Sequence, residues 1–229
     1  MGEKTLKKLA KQVDCYDYSW VDSLVDSKRP RYSDSQSEYL TYLENKVCER
    51  LHGRRLLHSL RVARTSELLA MRYGVDPYLA KAAGYLHDWD KQITKEELWE
   101  KAFAFNVVPK DVDPRIEPLL HAWTAAASLP EEFPELPQEV FCAIGRHTIG
   151  AVDMAPLDIV VNVGDLLEPG REYKELEVIR KYIATQPLET VFAESLRDSL
   201  ISPIQRGKYL YPGAVDIWNV WCKKLIDAE

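Results

Sequence analysis

Ala82-Ala83-Gly84-Tyr85-Leu86-His87-Asp88-Trp89-Asp90-Lys91 is an apolar helical run that ends on an adjacent histidine and aspartate. Burying a carboxylate beside Leu86 and Trp89 costs several kcal/mol unless a cation or hydrogen bonds compensate it, and the imidazole next door points to a metal as that cation. Taken alone, the pair fits a helix C-terminus turning polar residues into solvent better than it fits a site. The rest of the chain decides between the two.

On the N-terminal side, Leu56, Leu57, Leu60, Ala63, Leu68 and Met71 stripe a helix that Gly74 closes, and Asp76-Pro77 supply the N-cap and first-turn proline of the next. His58 and Arg61 fall off that stripe. Farther upstream, Tyr39, Leu40, Leu43, Val47 and Leu51 make one apolar face of a helix starting near Ser35. Before it come a polar break from Ser27 to Ser33 and an aromatic patch, Tyr16, Tyr18 and Trp20.

On the C-terminal side, Thr94-Lys95-Glu96-Glu97 is a capping box for a helix through Leu98 and Phe105. A proline-punctuated loop from Val107 to Pro114 leads to Leu119-Leu120-His121-Ala122, and a further helix ends at Arg146-His147-Thr148. Pro156 then opens an almost wholly apolar run, Leu157 to Leu167, that contains Asp165. From Lys174 onward the pattern predicts two or three more helices, ending on Trp218, Trp221 and Leu225. Strands alternating with turns are absent, as is any internal repeat. The expectation is an all-α fold, with residues 1–50 as an N-terminal helical appendage and 51–229 as the main domain.

Composition narrows the function. With 46% hydrophobic and 29% charged residues over 229 positions, the chain is that of a globular protein with a sizeable core. A formal net charge of −6 argues against a nucleic-acid binder, which needs clustered Lys and Arg to release counterions. Cys15, Cys48, Cys142 and Cys222 are scattered without a Cys-x-x-Cys pair, so neither a zinc knuckle nor a disulfide framework is indicated. The lysine-rich start has no apolar signal core and no stretch is long enough to span a membrane, which predicts a cytoplasmic protein with no membrane partner.

Only five histidines occur, and four of them, His58, His87, His121 and His147, sit at helix ends or on mostly apolar helices. Asp165 is flanked by Val161, Val163, Leu166 and Leu167, so its carboxylate is expected to be buried and to need a partner. Four imidazoles with Asp88 and Asp165 make six N/O donors and no thiolate, a set suited to Fe, Mn, Co or Zn in an open hydrolytic site. Six donors suit two metals better than one.

The order His58, His87-Asp88, His121, His147, Asp165 resembles the HD-domain metal-dependent phosphohydrolase superfamily. Five local words sharpen the resemblance: Arg55-Leu56-Leu57-His58-Ser59-Leu60-Arg61-Val62-Ala63, Leu86-His87-Asp88-Trp89-Asp90-Lys91, Leu119-Leu120-His121, Arg146-His147-Thr148-Ile149-Gly150 and Gly164-Asp165-Leu166-Leu167-Glu168-Pro169-Gly170-Arg171. They are similar to the YqeK-like branch of symmetrical bis(5'-nucleosyl)-tetraphosphatases. That likeness implies an HD-type helical bundle, a di-iron centre, and cleavage of diadenosine tetraphosphate, a small nucleotide substrate, into two ADP.

Position by position, the resemblance implies one metal on His58, His87, Asp88 and Asp165 and a second on His121 and His147, with Asp88 bridging. Two divalent cations about 3.5 to 4 Å apart can hold a bridging hydroxide and deliver it in line to phosphorus, so no protein nucleophile is required. Iron is the first choice of metal, with Mn, Co or Zn as alternatives. Lys91, Arg146 and Arg171 follow ligand words and are candidates for polyphosphate contacts, Lys91 also for neutralising charge in the transition state, and Thr148 for a hydroxyl contact. Trp89, Trp123 and Phe103 are candidate walls for a nucleobase.

Two departures bear on specificity: Ala122 stands where the family usually has glycine, and Asp90 adds negative charge where phosphates are expected to sit. Competing readings are a nucleotidase or phosphodiesterase acting on mononucleotides or cyclic dinucleotides, and a nucleotide-sensing module without turnover. The complete ligand set argues against the sensor. The appendage is a candidate dimerisation surface.

Overall fold

The computed structural model describes residues 3–25 and 30–223, and every regular element among them is helical. Helices α1 (Glu3–Asp14), α2 (Ser19–Asp22) and α3 (Asp34–Arg50) precede α4 (Gly53–Tyr73) and α5 (Pro77–Leu86). Then come α6 (Lys95–Ala104), a 3-10 turn (Pro114–Ile116), α7 (Glu117–Glu132), α8 (Gln138–Arg146) and α9 (Pro156–Leu167). The chain closes with α10 (Leu176–Thr185), α11 (Leu188–Gln205) and α12 (Gly213–Trp221). Part of the polar break, residues 26–29, and Leu225 of the C-terminal stripe lie outside the described residues.

Local chemistry sets the boundaries. Gly74 stops α4 at φ 71°, a left-handed conformation that glycine adopts without strain. Asp76 caps α5 by accepting from the amides of Tyr78 and Leu79, with Pro77 in the first turn. Thr94 and Glu97 close a capping box on α6, and Ser33 and Gln36 do the same for α3.

Helix α4 is the axis of the bundle, with α5 and α9 packed on it, α8 bridging α5 and α9, and α7 on α8. The amphipathic stripe expected for α4 is therefore not its organising feature. Leu57 and Met71 of the stripe are only partly buried, while His58, Ser59, Arg61, Val62, Thr65 and Ser66 off it are buried. A helix enclosed by neighbours has no solvent face for the stripe to define.

Two glycines set the crossings. A Cβ at Gly84 of α5 would stand 2.6 Å from the Ala63 Cα, and one at Gly164 of α9 would collide with the Ser66 hydroxyl. Only glycine lets these helices approach α4 so closely, and the approach carries the end of α5 and the last turn of α9 onto His58.

One core runs from Val13 and Val21 near the N-terminus to Ile217 and Trp221 in α12. The N-terminal helices join it: α1 and α2 pack on α4, α2 on α10, and α3 on α5. A smaller cluster, Ala102, Val108, Ile116 and Leu120, gathers Trp123, Tyr209 and Tyr211 around it. No helix among the described residues is long and apolar enough to cross a membrane.

Candidate metal centre

Helix ends deliver most of the polar side chains. His87 is the C-cap of α5 and His147 that of α8, while Asp88 continues the turn after His87. His58 and His121 stand in the second turns of α4 and α7, and Asp165 in the last turn of α9.

Three of the histidines use one local device. The Nδ1 atoms of His87, His121 and His147 lie 2.8, 2.9 and 2.7 Å from the carbonyl oxygens of Gly84, Pro118 and Ile144, each three residues earlier. Donating Nδ1–H to that carbonyl fixes the tautomer and leaves Nε2 with a free lone pair. His58 is held instead by Glu168, whose Oε1 lies 3.1 Å from its Nδ1.

The Nε2 atoms converge. Those of His58 and His87 are 3.3 Å apart, as are those of His121 and His147. Asp88 turns Oδ2 toward the first pair, 3.3 Å from His87 and 3.6 Å from His58. Its Oδ1 faces the second, 3.2 Å from His121 and 4.0 Å from His147. Asp165 adds Oδ1 2.9 Å from His58 Nε2 and 3.9 Å from that of His87.

Lone pairs that face one another cannot hydrogen-bond to each other, so this arrangement calls for cations among them. Donor atoms of His58, His87 and Asp88 lie within 4.8 Å of one another, as do those of Asp88, His121 and His147, and of His87, His147 and Asp165. Neutral imidazole and carboxylate with no thiolate fit a divalent transition metal.

The electrostatics agree. Burial, reinforced by His87 and His121, pushes the His147 imidazole down to about 3, and burial likewise lowers His121, so both stay neutral and able to ligate. Burial opposes ionisation of Asp88, but the imidazoles around it, His87 foremost, outweigh it and hold the carboxyl well below its ordinary value. His58 is raised: burial works against its protonation, and hydrogen bonds to Asp165 and Glu168 overcome that. Asp165, expected to be buried, instead shows 19% of its side chain to solvent, at the mouth of the cluster.

Cations ring the carboxylates. Arg55 Nη1 makes a close ion pair with Asp88, and Arg171 Nη2 lies 2.6 Å from Asp165 Oδ1. The Lys91 ammonium lies 3.1 and 3.4 Å from the two ring nitrogens of His121 and 3.4 Å from the Pro118 carbonyl.

Behind His58, Glu168 also takes the Arg61 guanidinium and the Gly170 amide, and its carboxyl is held at about 2 because the hydrogen bonds and charges of His58 and Arg61 outweigh its burial. The aromatic patch of the N-terminal segment covers this layer. Tyr16 stacks on Arg61 at 4.6 Å and Trp20 on Arg180 at 5.7 Å, and Arg180 in turn donates to the Leu167 and Arg171 carbonyls.

Several expected contacts take other partners. Arg146 ties Asp158 at 2.7 Å and Asp153 at 3.1 Å, bracing the start of α9 rather than reaching the cluster. Asp90 is buried between Arg50 at 3.2 Å and Lys101 at 2.6 Å, so its charge is spent there and is not added to the cleft. Trp89 packs edge-on to Phe133, Phe103 against Trp99 and Trp123 against Tyr211, and none of the three lines the cavities beside the cluster.

Thr148 does line them, and its buried hydroxyl has no hydrogen-bond partner among the described residues. Arg55 and Glu168 carry roles that motif spacing alone did not reveal. Their signal is position, three residues before His58 and three after Asp165.

A helical bundle gathering four imidazoles and two carboxylates in this order defines a His/Asp metal-centre protein. The HD domain family model matches residues 55–170, a span that holds every side chain of the cluster, and the chain belongs to that family. It is 27% identical over 173 residues to a symmetrical bis(5'-nucleosyl)-tetraphosphatase of Bacillus subtilis, covering 76% of this chain and 92% of that one. It is 28% identical over 174 residues to the protein of the same description from Staphylococcus aureus, covering 76% and 89%. A crystal structure of an HD superfamily hydrolase from Clostridium acetobutylicum, described as involved in NAD metabolism, superposes with a TM-score of 0.74 at 26% identity, over 80% of this chain and 97% of that one.

Proposed function

We propose that the chain is a metal-dependent phosphohydrolase that cuts dinucleoside polyphosphates, with diadenosine tetraphosphate giving two ADP. The observation that carries the reading is Asp88, whose two oxygens each face a different pair of inward Nε2 atoms. On this reading His58, His87, Asp88 and Asp165 hold one metal, His121 and His147 with Asp88 hold the second, and the metal is iron. The description shared by the bacterial relatives supplies the substrate.

Divalent cations held there supply Lewis acidity to the phosphoryl oxygens and a water-derived nucleophile at neutral pH. The protein supplies the rest. The carbonyls of Gly84, Pro118 and Ile144 and the Glu168 carboxylate fix the imidazoles before any ligand arrives, so no reorganisation is needed during reaction.

Lys91, Arg55 and Arg171 place three positive charges around the cleft, where they neutralise a polyphosphate chain and the charge that builds on it. The departing group is a nucleoside diphosphate. Its terminal phosphate ionises near pH 6, so the cleft needs cations around the leaving oxygen more than it needs an acid. Thr148 lines the cleft.

The test is anaerobic purification with metal analysis, then a nucleotide panel resolved by chromatography. ADP as sole product from diadenosine tetraphosphate is the expected result. ATP plus AMP, or turnover confined to mononucleotides or cyclic dinucleotides, would replace this reading with that of another HD hydrolase.

A further inference from the structure

Two cavities of similar size open beside the cluster, one of about 630 Å³ and one of about 660 Å³. Thr148, Ser199 and Pro203 line both, so the cavities share a wall. They leave the cluster on different sides. The larger includes His147 and Asp165 themselves; the smaller begins at Pro118 and Leu119, beside His121.

Their linings differ in kind. Asn162, Arg171, Asp198, Ser202, Gln205 and Arg206 make the larger cavity hydrophilic. The smaller is walled by Leu119, Ile149, Leu200, Pro203, Tyr209 and Tyr211, with Lys95, Arg115 and Lys208 also on its lining. Its aromatic wall is braced in advance. Arg115 stacks on the Tyr209 ring at 4.5 Å, and Tyr211 lies edge-on to Trp123 at 5.7 Å.

A pocket of this volume, mostly apolar with a few polar groups, is the form that a flat aromatic ligand fills.

We propose that the smaller cavity seats one nucleoside of the substrate, its base against the wall of Tyr209, Tyr211 and Leu200, while the hydrophilic cavity takes the other end of the chain of phosphates. The inference rests on the dinucleoside polyphosphate reading given above, since such a substrate needs a nucleoside seat on each side of the cleaved phosphate. Leu200, Tyr209 and Tyr211 lie beyond the HD match at 55–170. The C-terminal segment, α11 and its connection to α12, thus sets which nucleotide is accepted, and the HD region sets the chemistry.

The probe is ADP, titrated calorimetrically into the metal-loaded full chain and into Leu200→Trp, which fills the cavity, and Tyr209→Ala, which strips its wall. Inorganic tripolyphosphate is the comparison ligand, because it has no base. Loss of a stacking partner weakens nucleotide binding by about 5-fold to 100-fold. The expected result is a loss of ADP affinity in that range for both variants, with tripolyphosphate affinity unchanged.

Absence of ADP binding by the parental chain, parental ADP affinity in both variants, or an equal loss of tripolyphosphate affinity would each overturn the proposal. The two readings fail separately. If the parental chain hydrolyses no dinucleoside polyphosphate but both variants lose ADP, the seat stands and the activity falls. If diadenosine tetraphosphate is cut to ADP and both variants keep the parental KM, the activity stands and the seat falls.

Discussion

Asp88 and Asp90 leave the same turn after α5, both buried, and arrive in opposite surroundings. Asp90 meets Arg50 and Lys101, two cations that use up its charge. Asp88 meets four Nε2 atoms and one guanidinium. Glu67, buried in α4, follows the Asp90 pattern, with Tyr32 Oη at 2.5 Å, Arg64 at 2.6 Å and Lys81 at 3.0 Å. A carboxylate whose partners are all donors is a fastening. One that also faces lone pairs has the form of a metal ligand, and burial alone does not tell them apart.

The sharpest way to break this contrast is to neutralise each aspartate in turn. Asp88→Asn should reduce metal content at both positions and lower hydrolysis by about 10³-fold or more, because the shared charge holds the cluster together. Asp90→Asn should leave metal content and turnover at parental levels. Its cost falls on the fold, about 1–2 kcal/mol in denaturant unfolding, since Lys101 and the partly solvated Arg50 lose their counter-charge. Equal effects of the two substitutions on metal content would remove the distinction.

Next in size come the two halves of the cluster. His121→Ala should take the chain from two metals to one and lower turnover by more than about 100-fold, whereas His58→Ala should empty the other position. Elemental analysis after reconstitution reads both. A parental chain that never holds more than one metal would sink the two-metal assignment outright.

The members of the cluster were legible in the sequence because they break apolar patterns: His87-Asp88 at the end of one run, Asp165 inside another. The direction of Asp90 was not. Residues two apart on a helical turn point to different sides, and which side holds Arg50 and Lys101 is decided by α3 and α6, not by the local word. The pairing of Glu168 with Arg61 was not legible for a related reason, since it joins α9's end to α4 across 107 residues of chain.

The all-α fold was readable from periodicity and caps. The central place of α4 was not, because enclosure erases the stripe that periodicity reads. Aromatic residues are ambiguous in the same way: Trp89, Trp123 and Phe103 read as candidate base walls, Tyr209 and Tyr211 did not stand out, and only packing separates a core ring from a cavity ring.

A smaller effect is expected at Lys91, whose ammonium touches His121. If its ammonium neutralises charge as it builds on the phosphates, Lys91→Ala should lower kcat by about 10²-fold to 10³-fold with metals retained and KM changed far less. Parental kcat in a fully loaded Lys91→Ala protein would withdraw that role.

The smallest effect tests the fastening side of the contrast, through pH. Burial opposes ionisation of Glu67, but the Lys81 charge, the Tyr32 hydrogen bond and Arg64 outweigh it and hold its carboxyl below the ordinary value. A group depressed in the folded state is ionised in both states above its unfolded value, about 4.3 for glutamate, and there its pairing contributes in full. As pH falls from that value through the lower folded one, the unfolded chain binds the proton first and the contribution is lost. Glu67→Gln should therefore cost about 1–3 kcal/mol at neutral pH. The gap between parent and variant should close as the medium is acidified below about pH 4. Denaturant unfolding of both proteins across that range, in chelator so that metal loss does not intrude, measures the gap. A gap that stays constant into acid would mean that Glu67 contributes through its shape and packing, and that charge is not what fastens α4 to Lys81 and Tyr32.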